Sequence, residues 1–212
     1  MANKSESYVW YACYGSNLSQ KRFLCYIIGG TPDGSTKYNI GSKDKTLPKA
    51  DEQIIINYPL YFAKRAKGWG NLGVAFIGLE KDTQNTTYGR IYLITEMQFR
   101  DVVNQENGNL DLPFNINQVI KQNSYLLNSD SWYSNVLYLG LKNDYPIFTF
   151  TSPKDMSLDN FIPPSHEYLS VIIAGLKETY GFTDKEIANY LITKPGITDN
   201  FTLDELINLI NK

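Results

Sequence analysis

The stretch WYACYGSNLSQKR, residues 10–22, changes character at its middle. Residues 8–13 are apolar and aromatic without a charge, the pattern of a strand buried on both faces. Gly15 then marks a sharp turn, and residues 17–26 read as a short helix with Leu18, Phe23 and Leu24 turned inward. A glycine between a buried strand and a helix start lets backbone N–H groups converge on one point, where the positive end of the helix dipole adds to them. Such a turn can hold a carboxylate or a developing oxyanion, and it can equally be an ordinary strand-to-helix connection. Ser16 is not framed as a nucleophile, because no G-x-S-x-G surrounds it.

Outward from this turn, residues 29–52 are rich in Gly, Ser, Thr, Lys and Asp and read as a long exposed connection. Residues 53–64, 73–80 and 88–94 are strand candidates, the first two separated by the Trp turn RAKGWGN. TEMQ, Thr95 through Gln98, is a capping box. It predicts a helix over residues 96–106 with Met97, Phe99, Val102 and Val103 as its apolar face and Gly108 just past its end. Residues 109–124 carry no decisive pattern, whereas residues 132–141 and 147–151 read as two strands around the turn KNDYP. Ser165 can cap a helix to Tyr180 with Leu169, Ile172, Ile173 and Leu176 as its inner stripe. TDKE and TLDE are two further capping boxes, ahead of short helices over 187–192 and 206–210. The order predicts a single α+β domain over residues 1–212, built on one mixed, curved or barrel-like sheet flanked by helices, with a helical C-terminal extension from about residue 181.

Composition narrows the function classes. A chain of 212 residues, 42% hydrophobic, can bury a sizeable core. Twenty Lys and Arg against 22 Asp and Glu leave a net charge of -2 with no long basic run, which disfavours nucleic acid and anionic membrane as partners. The start MANKSES is polar, and the apolar run after it is too short for a signal-peptide core or a membrane span, so a cytoplasmic protein is expected. Cys13 and Cys25 make no disulfide framework and read as free thiols packed as small hydrophobes. His166 is the one histidine and falls in the first turn of a helix, where it reads as a surface or packing residue. It leaves no Ser-His-Asp or Cys-His machinery and no histidine-rich zinc site, so a carboxylate is the credible proton carrier.

Glu106, in VVNQENG, closes the middle helix. The dipole disfavours a negative charge at that end, which pushes a carboxyl pKa toward what a general base near neutral pH needs. A solvated helix-end glutamate would look the same in sequence. Sixteen Tyr, ten Phe and three Trp are mainly core and sheet-face residues, with some free to line a pocket.

Residues 11–18, Tyr-Ala-Cys-Tyr-Gly-Ser-Asn-Leu, resemble the F-A-Y-G-S-N-L signature of the γ-glutamylcyclotransferase-like superfamily, with Cys13 as one inserted or substituted residue. Gly73-Val74-Ala75-Phe76-Ile77 is similar to that family's G-[VI]-A-[TF]-I strand, and Gly89-Arg90-Ile91-Tyr92-Leu93 to its G-V-V-Y strand. Pro164-Ser165 with Tyr168, Ile172, Gly175 and Lys177 is similar to its P-S-x-x-Y-x-x-x-I-x-x-G-x-K helix. The resemblance covers most of the chain to about residue 180 and implies the γ-glutamylcyclotransferase-like fold. It also implies that Glu106 is the proton carrier and that the loop of Tyr14, Gly15, Ser16, Asn17 and Leu18 binds substrate. The sequence departs from the family in two places. Asn107 stands where the family has glycine after the glutamate, a substitution a left-handed Asn would tolerate, and the family's following Tyr has no counterpart before Phe114 and Tyr125.

The implied chemistry is intramolecular aminolysis of a small γ-glutamyl compound, a cyclisation of lyase or acyltransferase type that releases 5-oxoproline. It calls for no metal and no cofactor. Two other readings keep the fold without the reaction: a small-molecule or partner-binding module, and an interaction protein that works through residues 29–52.

Overall fold

The computed structural model describes residues 7–32 and 38–211. Most of MANKSES, and the part of the 29–52 connection at residues 33–37, lie outside the described residues. Among the described residues eight strands and six α-helices follow one another as β1 (Tyr8–Cys13), α1 (Gln20–Ile28), β2 (Ala50–Ile56), β3 (Leu60–Ala66), β4 (Leu72–Ile77), β5 (Thr87–Thr95), α2 (Glu96–Glu106), α3 (Ile116–Gln122), β6 (Ser124–Leu126), β7 (Asn135–Lys142), β8 (Tyr145–Thr151), α4 (His166–Tyr180), α5 (Asp184–Ile192) and α6 (Leu203–Ile210). This is the α+β class, a mixed sheet flanked by helices.

The strands divide between two sheets. A six-stranded sheet runs β2-β5-β1-β8-β7-β6, with β1 antiparallel to β5 and parallel to β8, while β3 and β4 form a separate antiparallel pair. The gap between the sheets is bridged by a side chain: Thr151 Oγ1 accepts from the Ile77 amide at 3.0 Å and donates to the Ile77 carbonyl at 2.7 Å. β1 is central, and its period of two sends alternate residues to opposite cores. Val9, Tyr11 and Cys13 face a core closed by α1, α2 and α3, whereas Trp10, Ala12 and Tyr14 face one closed by the β3–β4 pair and α4, α5 and α6. Burial on both faces is what the charge-free run of residues 8–13 predicts.

Several expectations are corrected. The segment 53–64 is two strands: Asn57, Tyr58 and Pro59 break it, and β2 joins the six-stranded sheet while β3 pairs with β4. The inner face of α1 is Phe23, Tyr26 and Ile27, with Leu24 only half-buried. Met97 is 56% exposed, and the buried face of α2 takes Gln98 and Gln105 with Phe99, Val102 and Val103. The connection is not simply exposed. Ser42 donates through its amide to the Ile27 carbonyl at 2.9 Å, the Lys43 amide reaches Asp101 at 2.7 Å, and Gln98 Nε2 donates to the Thr46 carbonyl at 2.7 Å. Polar groups fasten it to α1 and α2, so no apolar period marks it in the sequence.

Candidate active site

β1 delivers the chain to Gly15, where an added Cβ would meet the Tyr168 hydroxyl at 3.0 Å and the Ala75 side chain at 3.4 Å. Little room is left there for anything but glycine. A 3-10 turn, Ser16–Leu18, follows, closed by the Leu18 amide donating to the Gly15 carbonyl at 3.0 Å. α1 starts only at Gln20, after Ser19, so the positive end of its dipole lies beyond the Gly15 turn instead of at it. Three other elements, β5, α4 and β4, hold the turn in place. Tyr92 donates to the Asn17 carbonyl at 3.1 Å and Arg90 Nη1 to the Leu18 carbonyl at 3.2 Å. Gly175 of α4 lies so close that a Cβ there would sit 2.4 Å from that of Leu18, and Tyr168 of the same helix accepts from the Ala75 amide of β4 at 3.1 Å.

Glu106, the last residue of α2, faces the same place. Asn17 Nδ2 donates to Glu106 Oε1 at 3.0 Å and to the Tyr11 hydroxyl at 3.2 Å. Tyr26 of α1 hydrogen-bonds the Glu106 carboxylate as well, and burial together with that negative charge holds its phenol well above the ordinary range. The turn and the glutamate border one cavity of about 490 Å³. Its wall includes Tyr14, Gly15, Ser16, Asn17 and Glu106, while Leu18 is buried in the core beneath the turn. Among the described residues that line it, Glu106 alone is a carboxylate.

The buried phenols and the thiol of the wall do not supply a base at neutral pH. Burial raises Tyr11, Tyr14 and Tyr133 well above 10.0 and the Cys13 thiol well above 9.0. Cys13 Sγ contacts the Arg90 carbonyl at 3.3 Å, which suits a packed thiol. Tyr168 is pushed up to about 12 by burial, against the opposing pull of the Ala75 amide, the Arg22 cation and the Ser16 backbone.

The sequence did not mark Arg22, Tyr26, Trp69, Tyr133 or Tyr168 as wall residues. Arg22 and Tyr26 stand at i and i+4 on α1, one face of a helix, and Trp69 sits in the RAKGWGN turn, so those carried a signal. Tyr133 carried none. It arrives because Asn107 pairs with its backbone on both sides, Nδ2 donating to the Tyr133 carbonyl at 3.0 Å and Oδ1 accepting from its amide at 3.2 Å. An aromatic thus reaches the wall beside Glu106 although neither Phe114 nor Tyr125 does. Asn107 is not left-handed, with φ -96; the positive φ falls on Gly108 and Asn109.

No family model matches the chain. "Histone deacetylase 5" of Arabidopsis thaliana is 36% identical to it over 206 residues, covering 88% of this chain. The chain spans 31% of that longer protein, whose name describes the whole of it. A solved structure of an uncharacterised human protein aligns over 98% of this chain and 100% of its own at 15% identity and a TM-score of 0.52, a likeness of fold. A chain described as a γ-glutamyl cyclotransferase aligns over 97% and 99% at 14% identity and TM-score 0.49. A yeast γ-glutamyl cyclotransferase specific to glutathione aligns over 97% and 96% at 12% and 0.40. No helix among the described residues is long and apolar enough to cross a membrane.

Proposed function

We propose that the protein cyclises a γ-glutamyl amine, amino acid or peptide, releasing 5-oxoproline, with Glu106 moving the protons. The observation that carries this reading is the single cavity bordered by the Gly15 turn and by Glu106, joined through Asn17. In the reaction the α-amine attacks the γ-carbonyl carbon. A C–N bond closes the five-membered lactam, the C–N bond to the leaving amine breaks, and the proton given up by the attacking nitrogen returns to the leaving nitrogen. Both reacting groups belong to one molecule, so the cavity need only fold the substrate and shuttle protons. Glu106 is the wall group whose chemistry suits that shuttle, since the phenols and the thiol keep their protons at neutral pH. The 3-10 turn borders the carbonyl end. Its Leu18 amide is already bonded to Gly15, so the turn grips through its remaining groups. Two free thiols among the described residues suit a cytoplasmic setting.

Incubation with a panel of γ-glutamyl amino acids, γ-glutamyl-ε-lysine and glutathione is expected to release 5-oxoproline. Glu106→Gln, with its fold checked by circular dichroism, is expected to lose about a hundredfold or more in turnover. Silence across the whole panel, or full turnover in that variant, rejects the reaction. The match to 31% of a longer protein of a different name favours a second reading, a non-catalytic small-molecule or partner-binding module on the same fold. It predicts binding of γ-glutamyl compounds without turnover.

A further inference from the structure

Arg22 stands near the start of α1, its guanidinium 4.7 Å from the centroid of the Trp69 ring. Its Nε and Nη1 are buried and meet no hydrogen-bond acceptor among the described residues. Two other arginines, the buried Arg90 and the half-buried Arg100, are treated differently. Arg90 is ion-paired to Asp51 and, at 2.7 Å, to Glu178, and Arg100 is paired to Glu96 at 2.6 Å. A guanidinium keeps its charge at any ordinary pH, and shielding one from water without an anion is unfavourable. Among the described residues Arg22 has no such anion, and it lines the cavity.

Its neighbourhood says which anion fits. One helical turn along α1, Tyr26 feels both charges, hydrogen-bonded to the Glu106 carboxylate and under the influence of the Arg22 cation. Asn17, whose Nδ2 is held by Glu106, also keeps a buried Oδ1 that meets no donor among the described residues. Two residues of the cavity wall thus keep buried polar atoms unmatched among the described residues, donors on Arg22 and an acceptor on Asn17, which is bonded to the Glu106 carboxylate. A group with a carboxylate and an ammonium on one carbon complements that pair.

Resting on the cyclisation proposed above, we infer that Arg22 binds the α-carboxylate of the γ-glutamyl residue, so that the α-ammonium on the same carbon lies toward Glu106 and Asn17 Oδ1. Arg22 is then the residue that selects an α-amino-acid head group and aims the attacking nitrogen. The planar fork of arginine matches a carboxylate in two places, which a lysine cannot reproduce.

The test uses the full chain, the variants Arg22→Met and Arg22→Lys, and three compounds. These are γ-glutamyl-alanine, γ-glutamyl-methylamide, which lacks the leaving-group carboxylate, and the α-carboxamide of γ-glutamyl-alanine, which lacks the other one. Turnover is read as kcat/KM and binding by calorimetry. The wild type is expected to favour both compounds with the α-carboxylate over the carboxamide by about a hundredfold. Arg22→Met is expected to erase that preference and Arg22→Lys to keep a part of it. If Arg22→Met fails to fold, the comparison rests on Arg22→Lys, which must then lose at least part of the preference. A preference that follows the leaving-group carboxylate, one that survives in the variants, or a wild type that binds none of the three overturns the assignment. Arg22-dependent binding without turnover keeps it and rejects the cyclisation alone.

Discussion

Asn107 shows how one side chain can set the wall of a cavity. Its amide satisfies both the N–H and the C=O of Tyr133 and also donates to the Val103 carbonyl at 2.8 Å, and only 8% of the residue is exposed. Truncation leaves backbone groups buried without partners, which costs more than a hydrogen bond contributes. Asn107→Ala is expected to lower the unfolding free energy by about 1–3 kcal/mol, read as a lower urea midpoint at unchanged slope. Asn107 could be read from the sequence only as a departure from Glu-Gly. That it fastens a tyrosine 26 positions away was not legible, because the pairing depends on where the chain returns after β6.

Among the elements, α4 and the 3-10 turn meet at Gly175, and two effects compete there. Alanine is the better helix former by about 1 kcal/mol, which favours Gly175→Ala on helix propensity alone. The added methyl would lie 2.4 Å from Leu18 Cβ and 2.7 Å from the Ser19 amide nitrogen, a contact with backbone that cannot swing aside. Overpacking of this kind costs about 1–3 kcal/mol, so the clash wins. Gly175→Ala is expected to lower the thermal midpoint and to weaken binding of any ligand seated against the turn, measured by calorimetry; a raised midpoint would show that the helices slide apart freely. The helices α2, α5 and α6 were legible, since all three predicted capping boxes form with both halves in place, whereas α3 lies in residues 109–124, where no pattern marked it. The division of residues 53–64 into β2 and β3 was less so. Its apolar character runs through Pro59, and only pairing with β5 on one side and β4 on the other separates the two strands.

Across the whole molecule, Lys194 ties the C-terminal helices to the sheet. Its Nζ donates to the Thr86 carbonyl at 3.1 Å and lies 4.3 Å from the Tyr190 ring centroid, and burial lowers its pKa from 10.5 to about 8. Between those values the unfolded chain binds one more proton than the folded one, so this lysine makes stability rise with pH from about 8. Cys13 acts in the opposite sense, because its folded thiol keeps the proton that an unfolded one releases near 9.0, and the buried tyrosines add to that loss from 10.0 upward. Stability is therefore expected to climb between about pH 8 and 9, level off, and fall above about 10. Chemical denaturation across that range checks the curve, and Lys194→Met should remove the climb while leaving the fall.

The strand at residues 8–13, the capped helices and the position of Glu106 at the end of α2 follow from local pattern, because period, capping groups and dipole polarity act over a few residues. The meeting of Glu106 with Asn17, the arrival of Tyr133 and Tyr168 at the cavity, and the burial of Arg22 Nε and Nη1 without an acceptor among the described residues were decided by the tertiary structure alone. Each depends on chain segments far apart in sequence being brought within a few ångströms by sheet order and helix packing, and no local periodicity records which groups will meet there.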